Sequence, residues 1–131
     1  MIATPERPLL LVGAGRMGGA MLDGWLARGL PGEAIVVADP AVDEGARARW
    51  QPKGVRLSGG APDALAPAVV VLAVKPQVMA GVLPAVRPLR REDTLALSVA
   101  AGITLATLED WLGGGPIVRS IPNTPAQIGR G

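Results

Sequence analysis

Three glycines, Gly13, Gly15 and Gly18, stand in the stretch "VGAGRMGG" at the spacing G-x-G-x-x-G. An apolar run, "LLLV", precedes them and an amphipathic segment follows, so the spacing falls between a strand and a helix. In that setting each glycine has a physical task. Gly13 permits the tight turn out of the strand. Gly15 lets an anion approach the backbone with no Cβ in the way. Gly18 lets the helix pack closely on the sheet. The N–H groups of Ala14, Gly15, Arg16 and Met17 then face the positive end of a helix axis, and the pattern predicts a pyrophosphate site. Glycine-rich turns also occur without a ligand, so a second signal carries weight. Asp39 ends the next apolar run, and 39 − 18 = 21 residues separate it from Gly18. A carboxylate near that spacing accepts hydrogen bonds from the adenosine ribose hydroxyls of a dinucleotide. It repels a 2′-phosphate, which leans the expectation towards NAD over NADP. Arg47 and Arg49 on the following segment could soften that preference. Asp39-Pro40 also reads as a turn and helix start, and the two readings are compatible.

Lys75 is one of only two lysines and follows the apolar residues Val71 to Val74 in "LAVKPQ". Ligands of open α/β sheets bind at the carboxyl ends of strands. An ammonium there could reach a phosphate or a ribose, while Pro76 fixes the chain entering a helix. Lys75 reads equally as an exposed residue at a helix start, where its charge opposes the helix dipole.

The absences narrow the chemistry. The 131 residues contain no Cys and no His. Thiolate nucleophiles, disulfides, a Ser-His-Asp triad and Cys- or His-ligated zinc are excluded within this chain, and no metal site is expected. Net charge is +2, and eleven of the thirteen basic residues are Arg, scattered with no run longer than Arg90-Arg91. With three Trp and no Phe or Tyr, stacking platforms are few. Nucleic-acid binding is therefore not expected. Pro and charges precede a very short apolar run at the amino end, unlike a signal peptide, and "LAPAVVVLAV" is too short to span a bilayer. The expectation is a cytoplasmic chain with no membrane contact.

These residues need elements to position them. Apolar runs at Leu9 to Gly13, Ala34 to Asp39, Val55 to Leu57, Ala68 to Val74, Thr94 to Val99 and Pro116 to Ile121 predict strands. Between them, "RMGGAMLDGWLARG" places Met17, Met21, Leu22, Trp25 and Leu26 at helical spacing, with Gly29 as a stop. "AVDEGARARW" predicts a helix with acids early and Arg late. "PQVMAGVLPAVRPL" predicts one started by Pro76 and disturbed near Pro84, and "TLATLEDWLGGG" one capped by Thr104. Strands apolar on both faces and alternating with such helices imply a doubly wound α/β domain. Its mostly parallel sheet would have about six strands, of the Rossmann type. No internal boundary is visible.

The segments "VGAGRMGGAM", "LAVKPQ", "SVAAGI" and "RSIPNTPAQIGRG", in that order and spacing, resemble pyrroline-5-carboxylate reductases. The resemblance spans Leu9 to Gly131, and "VAAGI" and "IPNTPA" are its most specific parts. It implies hydride transfer from NAD(P)H to the C=N bond of 1-pyrroline-5-carboxylate, giving L-proline in the last step of proline biosynthesis. It implies cofactor contacts at Gly13, Ala14, Gly15, Arg16, Met17, Gly18, Asp39, Pro40, Ala73, Val74, Lys75, Pro76, Val99, Ala100 and Ala101. Asn123 and Thr124 would line the nicotinamide and the substrate imine, with no certain catalytic residue in this chain. Imine reduction suits the composition, since it needs a cofactor and positioning but no nucleophile or metal.

Departures from the family matter. Many members have small or polar residues, often with an Arg nearby, where this chain has Asp39-Pro40. Ala61 replaces a frequent Asn after the third strand. Members continue into a helical C-terminal domain of about equal size that forms a homo-oligomer and much of the substrate pocket, and these 131 residues do not include it. The expectation is thus a cofactor-binding domain that alone turns over slowly or not at all. Alternatives are an imine reductase or hydroxyacid dehydrogenase domain, a non-catalytic dinucleotide-sensing module, or a domain binding S-adenosylmethionine. Pro122 and Pro125 would present Asn123 and Thr124 at the ligand edge, although "NTPA" also reads as an N-cap followed by Pro. Residues 126–131 are expected to fray.

Overall fold

Short runs without a polar face can be buried only between two covering layers, and the chain builds such a sandwich. The computed structural model describes residues 3–60, 65–91, 93–99, 105–113 and 116–119. Its strands are β1 (Leu9–Val12), β2 (Ile35–Ala38), β3 (Arg56–Ser58), β4 (Val69–Leu72), β5 (Leu95–Ser98) and β6 (Ile117–Arg119). They form one six-stranded sheet in the order β3-β2-β1-β4-β5-β6. Every pairing is parallel, with Leu9 opposite both Ile35 and Val69. The helices are α1 (Arg16–Ala27), α2 (Glu44–Trp50), α3 (Pro76–Val86) and α4 (Leu105–Leu112). This is the expected doubly wound Rossmann-type arrangement, and the order reverses between β1 and β4.

The period-two alternation of the strands divides the core. Leu10, Val12, Val36, Val70, Leu72 and Ala96 face one layer with Met79, Leu83 and Val86 of α3 and Leu108 and Leu112 of α4. Leu9, Leu11, Ile35, Val37, Val69 and Val71 face the other with Met21, Leu22 and Trp25 of α1 and Trp50 of α2. Burial of each such Leu, Ile or Val contributes about 1.5–3 kcal/mol. With no Phe or Tyr available, many aliphatic contacts do the work of a few aromatic ones.

Boundaries differ from expectation where polar groups intervene. The second helix was expected from Ala41 and begins at Glu44, because Asp43 caps it by accepting the Ala46 N–H at 2.9 Å. Ala73 and Val74 leave the strand ladder and join the rim of the sheet. The third helix passes through Pro84 to Val86 before a 3₁₀ turn at Arg87–Leu89. Thr104 and residues 120–131 lie outside the described residues, so the cap and the frayed tail expected there are not placed.

At the amino ends of the strands, Arg7 grips Asp93 with two hydrogen bonds of 2.6 and 3.0 Å. Each raises or lowers the other's proton affinity: Asp93 lowers its pKa beside the guanidinium, and Arg7 raises its own. Arg90 reaches the carbonyls of Leu112, Thr94 and Pro116, joining α4 to β5 and β6, and burial lowers its pKa. Among the described residues no helix is long and apolar enough to cross a membrane.

Candidate functional site

At the carboxyl edge, each of four strands ends in one further bond to its neighbour. The first residue after the strand donates to the last residue of the adjacent strand. Asp39 N–H reaches the Ser58 carbonyl, Gly13 that of Ala38, Ala73 that of Val12 and Val99 that of Leu72, at 2.8–3.1 Å. The bases of the loops that could hold a ligand are thereby fixed on the sheet.

The glycine loop sits at the reversal between β1 and β4. Gly13 has a φ of +94°, a conformation L side chains rarely adopt. A Cβ there would also lie 2.8 Å from Val74 Cγ1. At Gly18 an added Cβ would collide with the Gly13 carbonyl oxygen. Gly15 is different: an added Cβ would meet nothing within 4 Å. Gly13 and Gly18 are therefore required by packing against the chain itself, whereas Gly15 faces open space. Gly15 is the N-cap of α1 and no side chain caps that helix. The first N–H groups of α1 have no partner within the helix and point at the space Gly15 leaves clear.

Asp39 binds the backbone through both of its oxygens. Its Oδ2 accepts the Ala14 N–H at 2.7 Å, and its Oδ1 accepts the Ala41 N–H at 2.8 Å. The glycine spacing places Ala14 among the donors for an anion, but its N–H is engaged by Asp39. The available donors thus start at Gly15. The second bond makes Asp39-Pro40 the turn that the residues also suggested. A carboxylate offers about four acceptor positions, so about two stay open beside the loop. Its charge therefore still addresses that space.

Of the other expected residues, Ala73 and Val74 touch the glycine loop: a Cβ on Gly18 would lie 3.4 Å from Ala73 Cβ. Arg16 and Met17 stand exposed on the first turn of α1, and Pro40 is exposed in its turn. Lys75 is the exposed N-cap of α3, with Pro76 as the first helical residue. Val99 is buried beside the rim. Ala100, Ala101, Asn123 and Thr124 lie outside the described residues, as does Ala61.

Sequence reasoning missed one cluster. Trp50 Nε1–H donates to Asp23 Oδ1 at 2.8 Å, and Arg49 pairs with the other oxygen of the same carboxylate. The Arg49 guanidinium carbon lies 4.9 Å from the centre of the Trp50 ring. That ring approaches α1 where Gly19 has no side chain, 3.3 Å from where a Cβ would stand. No periodicity couples residues 27 positions apart, so only the fold reveals the cluster. With Ala14, Asp39, Ala41 and Asp43, Arg49 and Trp50 line a cleft of about 400 Å³ beside the glycine loop. Among the described residues no group of acidic side chains is arranged to hold a metal.

The family model described as "NADP oxidoreductase coenzyme F420-dependent" matches residues 9–102, from β1 to just past β5. The chain belongs to that family. The match begins at the first strand of the sheet and contains the glycine loop, Asp39 and the Ala73 to Pro76 segment.

The chain is also similar to pyrroline-5-carboxylate reductases, as its motifs indicated. It is 38% identical to the one from Pseudomonas aeruginosa, over 99% of this chain and 47% of that protein. A solved pyrroline-5-carboxylate reductase from Coxiella burnetii superposes with a TM-score of 0.80 at 30% identity, over 94% of this chain and 46% of that one. The Plasmodium falciparum pyrroline carboxylate reductase, solved with NADP bound, shares the fold. Its TM-score is 0.74 at 24% identity, over 95% of this chain and 45% of that one. The chain spans about half the length of the curated relatives it matches.

Proposed function

We propose that this chain is the NAD(P)H-binding domain of a pyrroline-5-carboxylate reductase. The observation that carries the reading is the turn at Gly15: open space over an uncapped helix N-terminus, at the reversal of the strand order. The likeness to curated reductases over nearly the whole chain supports the choice of reaction.

The residues present fit a dinucleotide. Gly15, Arg16 and Met17 would hold the pyrophosphate through backbone N–H groups, where the helix dipole favours negative charge. The open acceptor positions of Asp39 would hold the ribose hydroxyls, with Pro40 shaping the turn beside them. Ala73, Val74, Lys75, Pro76, Val99, Ala100 and Ala101 would line the path across the reversal point, and Asn123 and Thr124 the reaction centre. When bound, the nicotinamide supplies the hydride that reduces the C=N bond of 1-pyrroline-5-carboxylate to give L-proline. This chain's own part would be to orient: the fixed rim would set where the ring sits, and apolar neighbours such as Ala73, Val74 and Val99 would exclude water from it. Asp39 favours a free 2′-hydroxyl, so NADH should bind at least as well as NADPH.

The same reading assigns the full-length protein a C-terminal helical domain that forms a homo-oligomer and completes the substrate pocket, a cytoplasmic location, and a place at the last step of proline biosynthesis. Calorimetric titration with NADH and NADPH tests the binding role. Saturable binding of at least one, with a Kd well below about 1 mM, is expected. Binding of neither overturns the proposal. Steady-state assay with pyrroline-5-carboxylate should give little or no turnover by these 131 residues.

A further inference from the structure

A carboxylate at the end of the second strand suits a ribose 2′-hydroxyl, and an arginine nearby suits a 2′-phosphate. This chain places both on one cleft: Asp39 at the end of β2, and Arg49 in the last turn of α2. The two are not equally available. Asp39 keeps open acceptor positions. Arg49, although its side chain is 54% exposed, is paired with Asp23 of α1 and stands over the Trp50 ring. Asp23 holds this arrangement from two sides, because its second oxygen takes the indole N–H of Trp50 at 2.8 Å. The indole is buried against α1, so it fixes the carboxylate and the carboxylate fixes the guanidinium.

We infer that Asp23 is a positioning residue for cofactor choice. By neutralising Arg49 and tying it to α1, it leaves the charge of the cleft to the carboxylates of Asp39 and Asp43, of which Asp39 stands at the end of β2 where the ribose would lie. The inference rests on the NAD(P)H-binding reading above and deepens it. The tether is of a kind that is easily given up. Exposed ion pairs hold weakly in water, whereas a guanidinium meets a phosphate through two parallel hydrogen bonds. Releasing Arg49 therefore costs the fold little and gives the cleft a phosphate ligand it otherwise withholds.

The substitution that separates these effects is Asp23→Asn. The amide oxygen still accepts the Trp50 N–H, but the negative charge opposing Arg49 is gone. Calorimetric titration should show NADPH affinity rising about tenfold, with NADH affinity changed by less than about twofold. The gain should vanish in the double variant with Arg49→Gln and shrink as salt rises. A merely structural role for Asp23 would move both affinities together and leave their ratio unchanged, and that result overturns the inference. Arg49→Gln alone is a second test that does not depend on Asp23. It should leave the NADPH to NADH ratio within about twofold of the parent, and a selective loss of NADPH of about tenfold would show that Arg49 already serves the phosphate. If the parent chain binds neither dinucleotide, the functional reading fails and this inference with it. If it binds both and the ratio never moves, the inference alone fails.

Discussion

The Asp39 carboxylate accepts the backbone N–H of Ala14 at 2.7 Å, tying the end of β2 to the first turn after β1. The bond spans 25 positions and makes the acid part of the glycine loop as well as of the cleft beside it. A side chain usually valued for what it offers a ligand here also shapes the surface the ligand meets.

Replacing Asp39 by Asn should therefore harm the apo chain. An amide has one oxygen, so either Ala14 or Ala41 would face a donor instead of an acceptor. A loss of about 1–3 kcal/mol is expected in urea denaturation. NADH affinity should fall with it by at least about tenfold. Unchanged stability would show that the two bonds are dispensable.

Gly15 and Gly18 should separate under the same substitution. Gly18→Ala drives a methyl group into the Gly13 carbonyl and should cost about 1–3 kcal/mol of stability. Gly15→Ala meets open space and should cost less than about 1 kcal/mol. It should nonetheless weaken dinucleotide binding at least about tenfold. Paired denaturation and calorimetry check both, and a Gly15→Ala chain that binds normally would remove the pyrophosphate from this turn.

The ion pair at the other edge predicts a pH dependence. Asp93 has its pKa lowered from the ordinary 3.8 by Arg7, so its contribution to stability is present above about pH 4 and is lost as pH falls through the lower folded-state value. In thermal melts, Asp93→Asn should be less stable than the parent near neutral pH. The two should converge under strongly acidic conditions. Both partners are solvent-exposed, so the difference should be small and should shrink with salt. A gap that widens on acidification would contradict the pairing.

Thr94 supplies a control remote from the ligand edge. Its buried hydroxyl donates to the Pro67 carbonyl and accepts the Arg91 N–H, both at 2.9 Å. Thr94→Val should cost about 1–3 kcal/mol in chemical denaturation while leaving NADH titration unchanged.

What the residues made legible follows from local physics. Leu9 to Val12 and Val69 to Leu72 are apolar on both faces, so a covered parallel sheet was readable without a partner strand in view. The glycine spacing gave the turn, because steric demand at Gly13 and Gly18 is set by the chain's immediate neighbours. α2 starts three residues later than the pattern predicts, because Asp39 and Asp43 each accept a backbone N–H in this stretch and only those hydrogen bonds show that Asp43 caps the helix. The double use of Asp39 and the Asp23–Arg49–Trp50 cluster were not readable. Both depend on which strands and helices come to lie side by side, and that information is not carried by any window of the sequence.

The four bonds along the carboxyl rim have a consequence for exchange with solvent. The amides of Gly13, Asp39, Ala73 and Val99 belong to loops by position, yet each is locked into a neighbouring strand. Their deuterium uptake should follow global opening of the sheet, while that of the N–H groups of Gly15 to Met17 should be fast until a ligand arrives. The carboxyl edge would thus join a protected foundation to a labile surface within two or three residues, and an empty and a filled site should differ in protection without any change in backbone path.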